Sequence, residues 1–232
     1  MSIAETNLEL PPNFTGVVKL FPLPNLVLFP GVIQPLHVFE PRYRKLMEDA
    51  INSDQLIAMA KLRDGTDDFD SADPEIHQTV CIGKIITHAE LPDGRFNLLL
   101  FGTKRARIIR ELASDQPYRL ADVKVVESFL DGQPFSEEQV RAEAVELFEQ
   151  LVDADDNLDG ESIGHLLDEG LPIGLLLDML TFLCGTSLSA QQDILETPEL
   201  ALRARKVIEI LQSRLATTQQ SQLRFPPTFS YN

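Results

Sequence analysis

Cysteine is scarce in this chain of 232 residues, which contains only Cys81 and Cys184, far apart and in apolar surroundings. A structural zinc site needs about four clustered ligands, so this composition predicts none. The histidines are widely spaced and form no H-x-x-x-H pair: His37, His77, His88 and His165. We therefore expect two buried thiols, ordinary structural or surface histidines, and no metal or cofactor.

Long apolar segments are also lacking. The longest run, residues 171–183, is shorter than the roughly 20 residues that cross a bilayer, and it contains Asp178. The first ten residues show no basic region followed by an apolar stretch, which a secretion signal would have. These two absences predict a cytoplasmic protein without a membrane partner.

Positive charge is sparse in the second half of the chain. The net charge is −16; residues 1–130 hold 18 acidic and 14 basic side chains, whereas residues 131–232 hold 18 acidic and 6 basic ones. Arg141 is the only base in residues 131–202. Such a surface repels phosphate backbones, so the composition disfavours nucleic acid as a partner.

Sequence motifs for catalysis are absent as well. The chain has neither the G-x-x-x-x-G-K-[ST] phosphate-binding loop nor the G-x-S-x-G nucleophile elbow. With no nucleophile, base and orienting group placed at a recognisable spacing, we predict a protein without enzymatic activity.

One acidic segment is similar to the start of an EF-hand calcium loop. With Asp155 as position one, Asn157, Asp159 and Gly160 occupy positions three, five and six, but position twelve is Leu166 instead of a bidentate glutamate. The pattern therefore favours an acidic interhelical loop, and it leaves open whether residues 153–161 bind any cation.

The first half of the chain is predicted to be β-rich. Alternating apolar residues between turn signals predict strands at 17–21, 32–39, 55–62, 79–91, 95–102, 105–112 and 118–128. Short strands at this regular spacing indicate a small barrel or sandwich. One helix interrupts them at 40–52, with Pro41 at its first position and an apolar stripe from Tyr43 to Ile51.

Prolines within the apolar segment LFPLPNLVLFPG, residues 20–31, raise the question of how it fits a sheet. Pro22 and Pro24 cannot donate to a ladder and are predicted to end the first strand. Pro30 and Gly31 are expected to turn the chain, and Pro35 places the next strand at an edge or a bulge.

The periodicity becomes helical after Gly132. Ser136 followed by Gln139 forms a capping box, and helices are then predicted from 137 onward and at 161–169, 172–183, 187–196 and 198–218. We expect a β-domain at 14–130, a helical subdomain at 131–218, and flexible termini at 1–13 and 219–232.

Two sequence blocks and the end of the helical part resemble the Lon N-terminal domain, the substrate-binding domain of the ATP-dependent protease Lon. The first block matches at Pro22, Leu23, Leu28, Phe29, Pro30, Pro35, Leu36, Phe39, Glu40, Arg42 and Tyr43. The second block matches at Gly83, Asp93, Gly94, Gly102, Arg105 and Arg107. The segment from Gln191 to Leu215 is similar to the family's ending. The resemblance spans residues 14–218.

The resemblance implies an α+β fold: a PUA-like β pseudo-barrel with one helix, followed by an α-helical bundle. It also implies a non-catalytic module that binds unfolded or exposed apolar segments of client proteins. The chain ends at Asn232 without the family's ATPase and Ser–Lys peptidase domains, so we expect a stand-alone form. Whether a separate ATPase or protease is a partner stays open.

Aromatic residues in the matched blocks are the candidates for client binding. Phe39, Tyr43, Phe96 and Phe101 lie at positions that suit either a binding surface or the core of the sheet. Both interpretations stay open at the level of the sequence. An apolar groove or a free strand edge would provide the physical basis for binding.

Two other hypotheses compete with client binding. A cryptic peptidase is supported only by the family's association with proteolysis. RNA binding is suggested by the PUA-like fold and by the basic run Lys104, Arg105, Arg107 and Arg110, in which Arg105 and Arg107 share one strand face. Pairing of these cations with neighbouring acids is the structural alternative to RNA binding.

Overall fold

The computed structural model describes residues 8–63, 74–132, 134–155, 158 and 171–223. These residues divide into two compact units. The first unit contains residues 8–128 together with 188–198, and the second contains residues 129–187 together with 199–223, within the described ranges. The segment 188–198 thus packs with the first unit, although it follows part of the second unit in the chain.

The first unit is built on a mixed six-stranded sheet. Its strands are β1 (Val17–Leu23), β2 (Ile33–Val38), β3 (Leu56–Lys61), β4 (Thr79–Glu90), β5 (Phe96–Leu112) and β6 (Leu120–Val125). The strand order is β2-β5-β4-β3-β1-β6. The last strand of this order, β6, also pairs with β5, which is the longest strand. Only β1 and β3 run parallel; the other pairs are antiparallel.

Five helices complete the described residues. They are α1 (Pro41–Ile51), α2 (Glu137–Ala154), α3 (Ile173–Leu183), α4 (Leu188–Leu195) and α5 (Leu200–Leu223). The α+β class predicted from the sequence is confirmed. The finer terms, a PUA-like pseudo-barrel and a helical bundle, stay predictions. None of these helices has the length and hydropathy to cross a lipid bilayer.

Strand β5 differs from its prediction, because segments 95–102 and 105–112 form one strand of 17 residues. Its first half pairs with β2 and with the end of β4, and its second half pairs with the start of β4 and with β6. Gly102 and Thr103 were expected to end a strand. They instead lie inside β5, at the point where its neighbour on one side changes from β2 to β6.

Pro22 was predicted to end β1, and this prediction is wrong. Pro22 lies inside the strand, opposite Ala60 of β3. The Leu20 N–H donates to Arg119 O on the β6 side of the strand. Backbone groups two residues apart in a strand face the same side, so the backbone nitrogen of Pro22 also faces the β6 side. Pairing with β6 covers only Val17–Lys19, so an N–H at Pro22 would have no ladder partner there.

Pro35 lies in β2, which is the edge strand that its proline predicted. The Gly102 N–H donates to Val32 O, so alternate residues from Gln34 onward direct their backbone groups toward β5. The backbone of Pro35 therefore faces away from the sheet, where a missing N–H costs no ladder bond. The Gln34 side chain donates to Pro35 O at 3.0 Å on this outer edge.

The core of the sheet is formed by small and branched side chains. Strand β3 is buried throughout. Twelve buried apolar side chains form one core cluster: Val18, Leu20, Leu56, Ala58, Ala60, Ile76, Val80, Ile82, Ala106, Ile108, Ala121 and Val123. Leu10 and Phe14 pack against it from the N-terminal segment. Cys81 and Cys184 are both buried thiols.

Helix α1 begins at Pro41, as predicted, and buries Tyr43, Leu46, Met47 and Ala50. A hydrogen bond ties this helix to the turn before β6, because the Tyr118 hydroxyl donates to Asp49 Oδ2 at 2.8 Å. Lys45 forms an ion pair with the other carboxylate oxygen at 2.8 Å. Asp49 thus joins two elements that are distant in the sequence.

Stability should depend on pH through Asp49. The hydrogen bond from Lys45, assisted by that from Tyr118, lowers the pKa of Asp49 below its ordinary value despite partial burial. The ionised carboxylate therefore contributes stability above its unfolded-state pKa, and this contribution disappears as the pH falls through the lower folded-state pKa. The loss in free energy of unfolding caused by D49N should shrink below about pH 4.

Urea denaturation of wild type and D49N between neutral and acid pH measures this difference. D115N is the control, because Asp115 is exposed and has no described side-chain partner. If the loss in free energy of unfolding caused by D49N stayed constant down to the lowest pH, the stabilising role of the ionised Asp49 carboxylate would be contradicted.

Helix α4 is joined to the sheet of the first unit by polar contacts. The buried Arg105 side chain donates through Nε to Leu195 O at 3.1 Å. Gln192 Nε2 donates to Thr79 O at 3.0 Å, and His77 Nδ1 lies 2.9 Å from Glu196 Oε1. These contacts explain why residues 188–198 belong to this unit.

In the second unit, α2, α3 and α5 contact one another. The Ser136 hydroxyl accepts from the Gln139 N–H at 3.4 Å, which is the Ser136 half of the predicted capping box of α2. Arg203 Nη1 lies 3.7 Å from Asp178 Oδ1, and both side chains are fully buried. The predicted helix 161–169 and most of the acidic loop lie outside the described residues.

Candidate functional site

Exposed apolar side chains mark one region of the sheet. Ile33 is 51% exposed and Ile86 is 42% exposed, and both belong to the strands that flank the first half of β5. Phe39, which follows β2 directly, is 61% exposed. Ile33 begins β2 and Phe39 follows its end, so the two mark opposite ends of this edge of the sheet. Large apolar groups that remain in water along one surface indicate an interaction surface more strongly than scattered ones do.

The register places these strands side by side and defines which residues share a face. Three cross-strand rows form it: Ile33, Phe101 and Lys84; Pro35, Leu99 and Thr87; His37, Asn97 and Ala89. We call these nine side chains the hairpin face. Leu98, Leu100 and Phe96 alternate with them along β5 and are buried on the opposite side. Ile86 is the extra residue of a bulge in β4.

A depression of about 470 Å³ lies on the hairpin face. Its lining comes from three segments, residues 35–37, 87–89 and 97–99. The small side chains Thr87 and Ala89 lie on one side, while Pro35 and Leu99 supply apolar surface across from them. A depression of this size can take one large aliphatic or aromatic side chain.

Four polar side chains form a hydrogen-bonded chain at the rim of the depression. Arg95 Nε donates to Asp93 Oδ2 at 2.6 Å, and Arg95 Nη1 lies 3.2 Å from His37 Nε2. His37 Nδ1 lies 2.7 Å from Asn97 Oδ1. Since the guanidinium can only donate, His37 Nε2 is the acceptor in the contact with Arg95, which leaves Nδ1–H to donate to Asn97.

The turn between β4 and β5 holds this chain of side chains in place. The Gly94 N–H donates to Leu91 O, and Gly94 has the positive φ of 77° that the predicted hairpin turn requires. Asp93 Oδ1 accepts from the Arg95 N–H at 3.1 Å. This backbone hydrogen bond is the main cause that lowers the pKa of Asp93, so the carboxylate stays ionised.

The four predicted binding residues separate into two pairs. Phe101 lies half-buried on the hairpin face, opposite Ile33. Phe39 lies at the other end of that face, with its ring 6.3 Å from that of His37. Phe96 and Tyr43 are buried in the interior. The Tyr43 ring lies 4.5 Å from that of Phe21, and burial raises the pKa of its hydroxyl.

Several residues of the face were not singled out from the sequence. Ile33, Leu99 and Thr87 line it, and the period-two alternation of their strands was the available signal. That signal identifies two faces of a strand. It does not tell which of them the rest of the chain covers.

The matched motif residues have identifiable positions in the fold. Pro22 O accepts from the Tyr43 hydroxyl, and Glu40 O accepts from the first N–H groups of α1. Glu40 also pairs with Arg42 at 3.0 Å. Phe29 is buried, while Pro30 precedes the turn at Gly31, which has a φ of 82°.

Two motif glycines mark close approaches. A Cβ on Gly83 would lie 2.6 Å from the Leu100 side chain, and a Cβ on Gly102 would lie 2.0 Å from Phe29 O. Both positions therefore require glycine for reasons of space, although neither has a positive φ.

The basic run that suggested RNA binding is largely engaged within the protein. Arg105 is buried against α4, Lys104 pairs with Glu127 at 3.2 Å, and Arg110 lies 3.5 Å from Asp122. Arg107 is exposed on β5. Three of these four cations are thus compensated by protein groups, which is the pairing that the sequence offered as the alternative to RNA binding.

A second, larger opening of about 820 Å³ lies beside the N-terminal segment 9–15. Its lining is mixed in polarity, and the Lys19 ammonium within it is already bound by Asp54 and Ser53 at 3.0 and 3.1 Å. Within the described ranges, no three His, Cys, Asp or Glu side chains are grouped to hold a metal. The hairpin face is therefore the candidate site.

Fold and surface together define an α+β protein whose sheet unit presents a partly apolar face. The family is then shown by comparison with known proteins: residues 17–213 match the model described as the ATP-dependent protease La (LON) substrate-binding domain. The chain belongs to this family of substrate-binding domains.

Curated relatives and solved structures agree with this membership. The chain is 26% identical to the Lon protease of Dictyoglomus thermophilum and 27% identical to Lon protease 2 of Myxococcus xanthus. These matches cover 91% and 84% of this chain but 26% and 23% of the relatives, so the chain spans about a quarter of their length.

The fold is shared with two Lon N-terminal domains of known structure. That of the Mycobacterium avium complex Lon protease aligns with a TM-score of 0.62 and 16% identity, over 84% of this chain and 98% of that one. The Lon N-terminal domain protein from Xanthomonas campestris aligns with a TM-score of 0.54 and 24% identity, over 90% and 99%.

Proposed function

We propose that this chain binds unfolded or exposed apolar segments of client proteins through the hairpin face, without hydrolysing them. The single observation that carries the proposal is the group of exposed apolar side chains on and beside three paired strands, which centre on Ile33, Phe39 and Ile86. Burial of such side chains by a client removes apolar surface from water and supplies the binding free energy.

Family membership supports the same proposal, because the matched model is a substrate-binding domain. The matched relatives are named proteases, so we propose that an ATP-dependent protease is the partner that receives the bound client. We further propose that residues 14–130 form a PUA-like β-domain and residues 131–218 a helical bundle, as the resemblance implies.

Charge substitutions on the hairpin face should weaken client binding. I33D or F39D would place a carboxylate where a client's apolar side chains are buried, and desolvation of that charge opposes binding. Because both side chains are more than half exposed, the substitutions should leave folding intact. We expect Kd for a reduced, permanently unfolded model protein to rise roughly tenfold.

I109D is the matched control, since Ile109 lies on the same strand β5, is 59% exposed and lies outside the hairpin face. Fluorescence anisotropy with a labelled unfolded protein, with and without ATP, measures the affinities of wild type, I33D, F39D and I109D. Equal weakening by I33D and I109D would remove the hairpin face from the proposal. A wild-type chain that binds no member of a panel of unfolded proteins would refute client binding itself.

A further inference from the structure

The rim of the depression combines apolar surface with a fixed positive charge. The Arg95 guanidinium is held at two of its nitrogens, by Asp93 at Nε and by His37 at Nη1. His37 lines the depression, so the Arg95 head group lies within hydrogen-bonding distance of that lining. A guanidinium that is already oriented loses little conformational freedom when it binds a ligand.

One nitrogen of this guanidinium is available to a ligand. Among the described residues, Arg95 donates through its backbone N–H, Nε and Nη1, and Nη2 has no protein acceptor. Asp93 accepts from the backbone N–H and from Nε of Arg95, and neither hydrogen bond uses Nη2. An oriented N–H donor on a cation can give a charge-assisted hydrogen bond to one oxygen of a carboxylate.

A second guanidinium lies at the same turn. A Cβ placed on Gly94 would lie 2.0 Å from Arg44 Nη2, so the Arg44 side chain rests directly on the turn that carries Asp93 and Arg95. The turn thus has two guanidinium groups and one carboxylate. A second cation beside Arg95 favours an anionic ligand at this turn.

We propose that this site binds the carboxyl-terminal residue of a client chain, with the α-carboxylate at Arg95 Nη2 and an apolar side chain in the depression. This inference rests on the proposed function and names the client segment that the hairpin face prefers. Only the last residue of a chain carries a carboxylate and an apolar side chain on the same carbon atom. An internal apolar residue offers no such charge.

Two forms of one peptide test the proposal on the full chain. A short uncharged peptide that ends in apolar residues is labelled at its amino terminus and prepared with a free or an amidated carboxyl terminus. We expect the free acid to bind about tenfold more tightly than the amide. R95Q should bring the two affinities together, and R107Q, which neutralises an exposed arginine farther along in β5, should preserve the difference.

Other outcomes separate the failure of this inference from that of the proposed function. Equal affinities for acid and amide in the wild type would overturn carboxylate recognition while client binding stands. An amidated peptide with an internal aspartate that binds as well as the free acid would also overturn it, since a side-chain carboxylate would then suffice. If wild type binds neither the peptides nor unfolded proteins, both proposals fail. The thermal melting of R95Q should match that of R107Q.

Discussion

Substitution of Gly102 by alanine is expected to prevent stable folding of the sheet unit. The added Cβ would lie 2.0 Å from the Phe29 carbonyl oxygen and 2.8 Å from its carbon, and both are backbone atoms that cannot rotate away. Two backbone hydrogen bonds hold the two segments of the chain at this distance: Gly31 N–H to Gly102 O at 2.8 Å, and Gly102 N–H to Val32 O at 2.9 Å.

The overlap can be relieved only if the segment around Phe29 moves away. Such a movement would break these two bonds, at about 1 kcal/mol each, and would loosen the packing of the fully buried Phe29. Loss of the packing of a buried phenylalanine lowers the free energy of unfolding by about 3–5 kcal/mol. Because a typical domain has about 5–15 kcal/mol of stability in total, we expect G102A to be unfolded or at the margin of folding.

Urea denaturation followed by circular dichroism measures the G102A effect. G132A serves as the control, because a Cβ there would meet nothing within 4 Å and only the φ of 88° opposes it. A non-glycine residue in this conformation costs about 1–2 kcal/mol. If G102A were no less stable than G132A, the close approach of the two backbones would be refuted.

Removal of the buried charge of Arg203 is expected to destabilise the second unit strongly. Arg203 and Asp178 are fully buried on α5 and α3, with 3.7 Å between Nη1 and Oδ1. Both side chains make further interactions within the protein. Without Arg203, the Asp178 carboxylate would be buried without its cation, which typically costs about 3–5 kcal/mol.

A double-mutant cycle tests this interaction. R203M and D178L should each lower the free energy of unfolding by several kcal/mol, about 3 or more, and the double variant should lose less than the sum. R205M is the control, since Arg205 is exposed on the same helix and its replacement should change stability by less than about 0.5 kcal/mol. Strict additivity of the two buried substitutions would show that the pair is not coupled.

Local elements were predictable because their signals are local. The 3.6-residue period of Tyr43, Leu46 and Ala50 and the proline before it define α1 within one residue at each end. The cap at Ser136 likewise marks the start of α2. The limits of β2, β3 and β4 also agree within one residue, since turn residues bound these alternating segments.

Properties that depend on distant parts of the chain were not predictable. Gly102 resembled a strand end, and only the position of Phe29, far away in sequence, shows that a close approach requires it. Helix α4 follows two helices of the second unit, yet Arg105 and Thr79 of the sheet unit supply its partners. No periodicity within residues 187–196 carries that information.

The candidate site shows the same limit. Phe39, Tyr43, Phe96 and Phe101 were equivalent as aromatic residues of matched motifs. Helix α1 buries its own Tyr43, and the alternation of β5 directs Phe96 and Phe101 to opposite sides. Which side stays open depends on what packs against the sheet, so the contribution of Leu99 and Ile33 became visible only in three dimensions.

The proline at the outer edge of β2 determines how a client could attach under the proposed function. A chain that adds itself to this edge as a further strand would find N–H donors at Ile33 and His37 but none between them, and the carbonyl of Pro35 already accepts from Gln34. A continuous backbone ladder with the client therefore cannot form. Under the proposed function, attachment through side chains avoids an extended β-ladder, which would provide a template for aggregation.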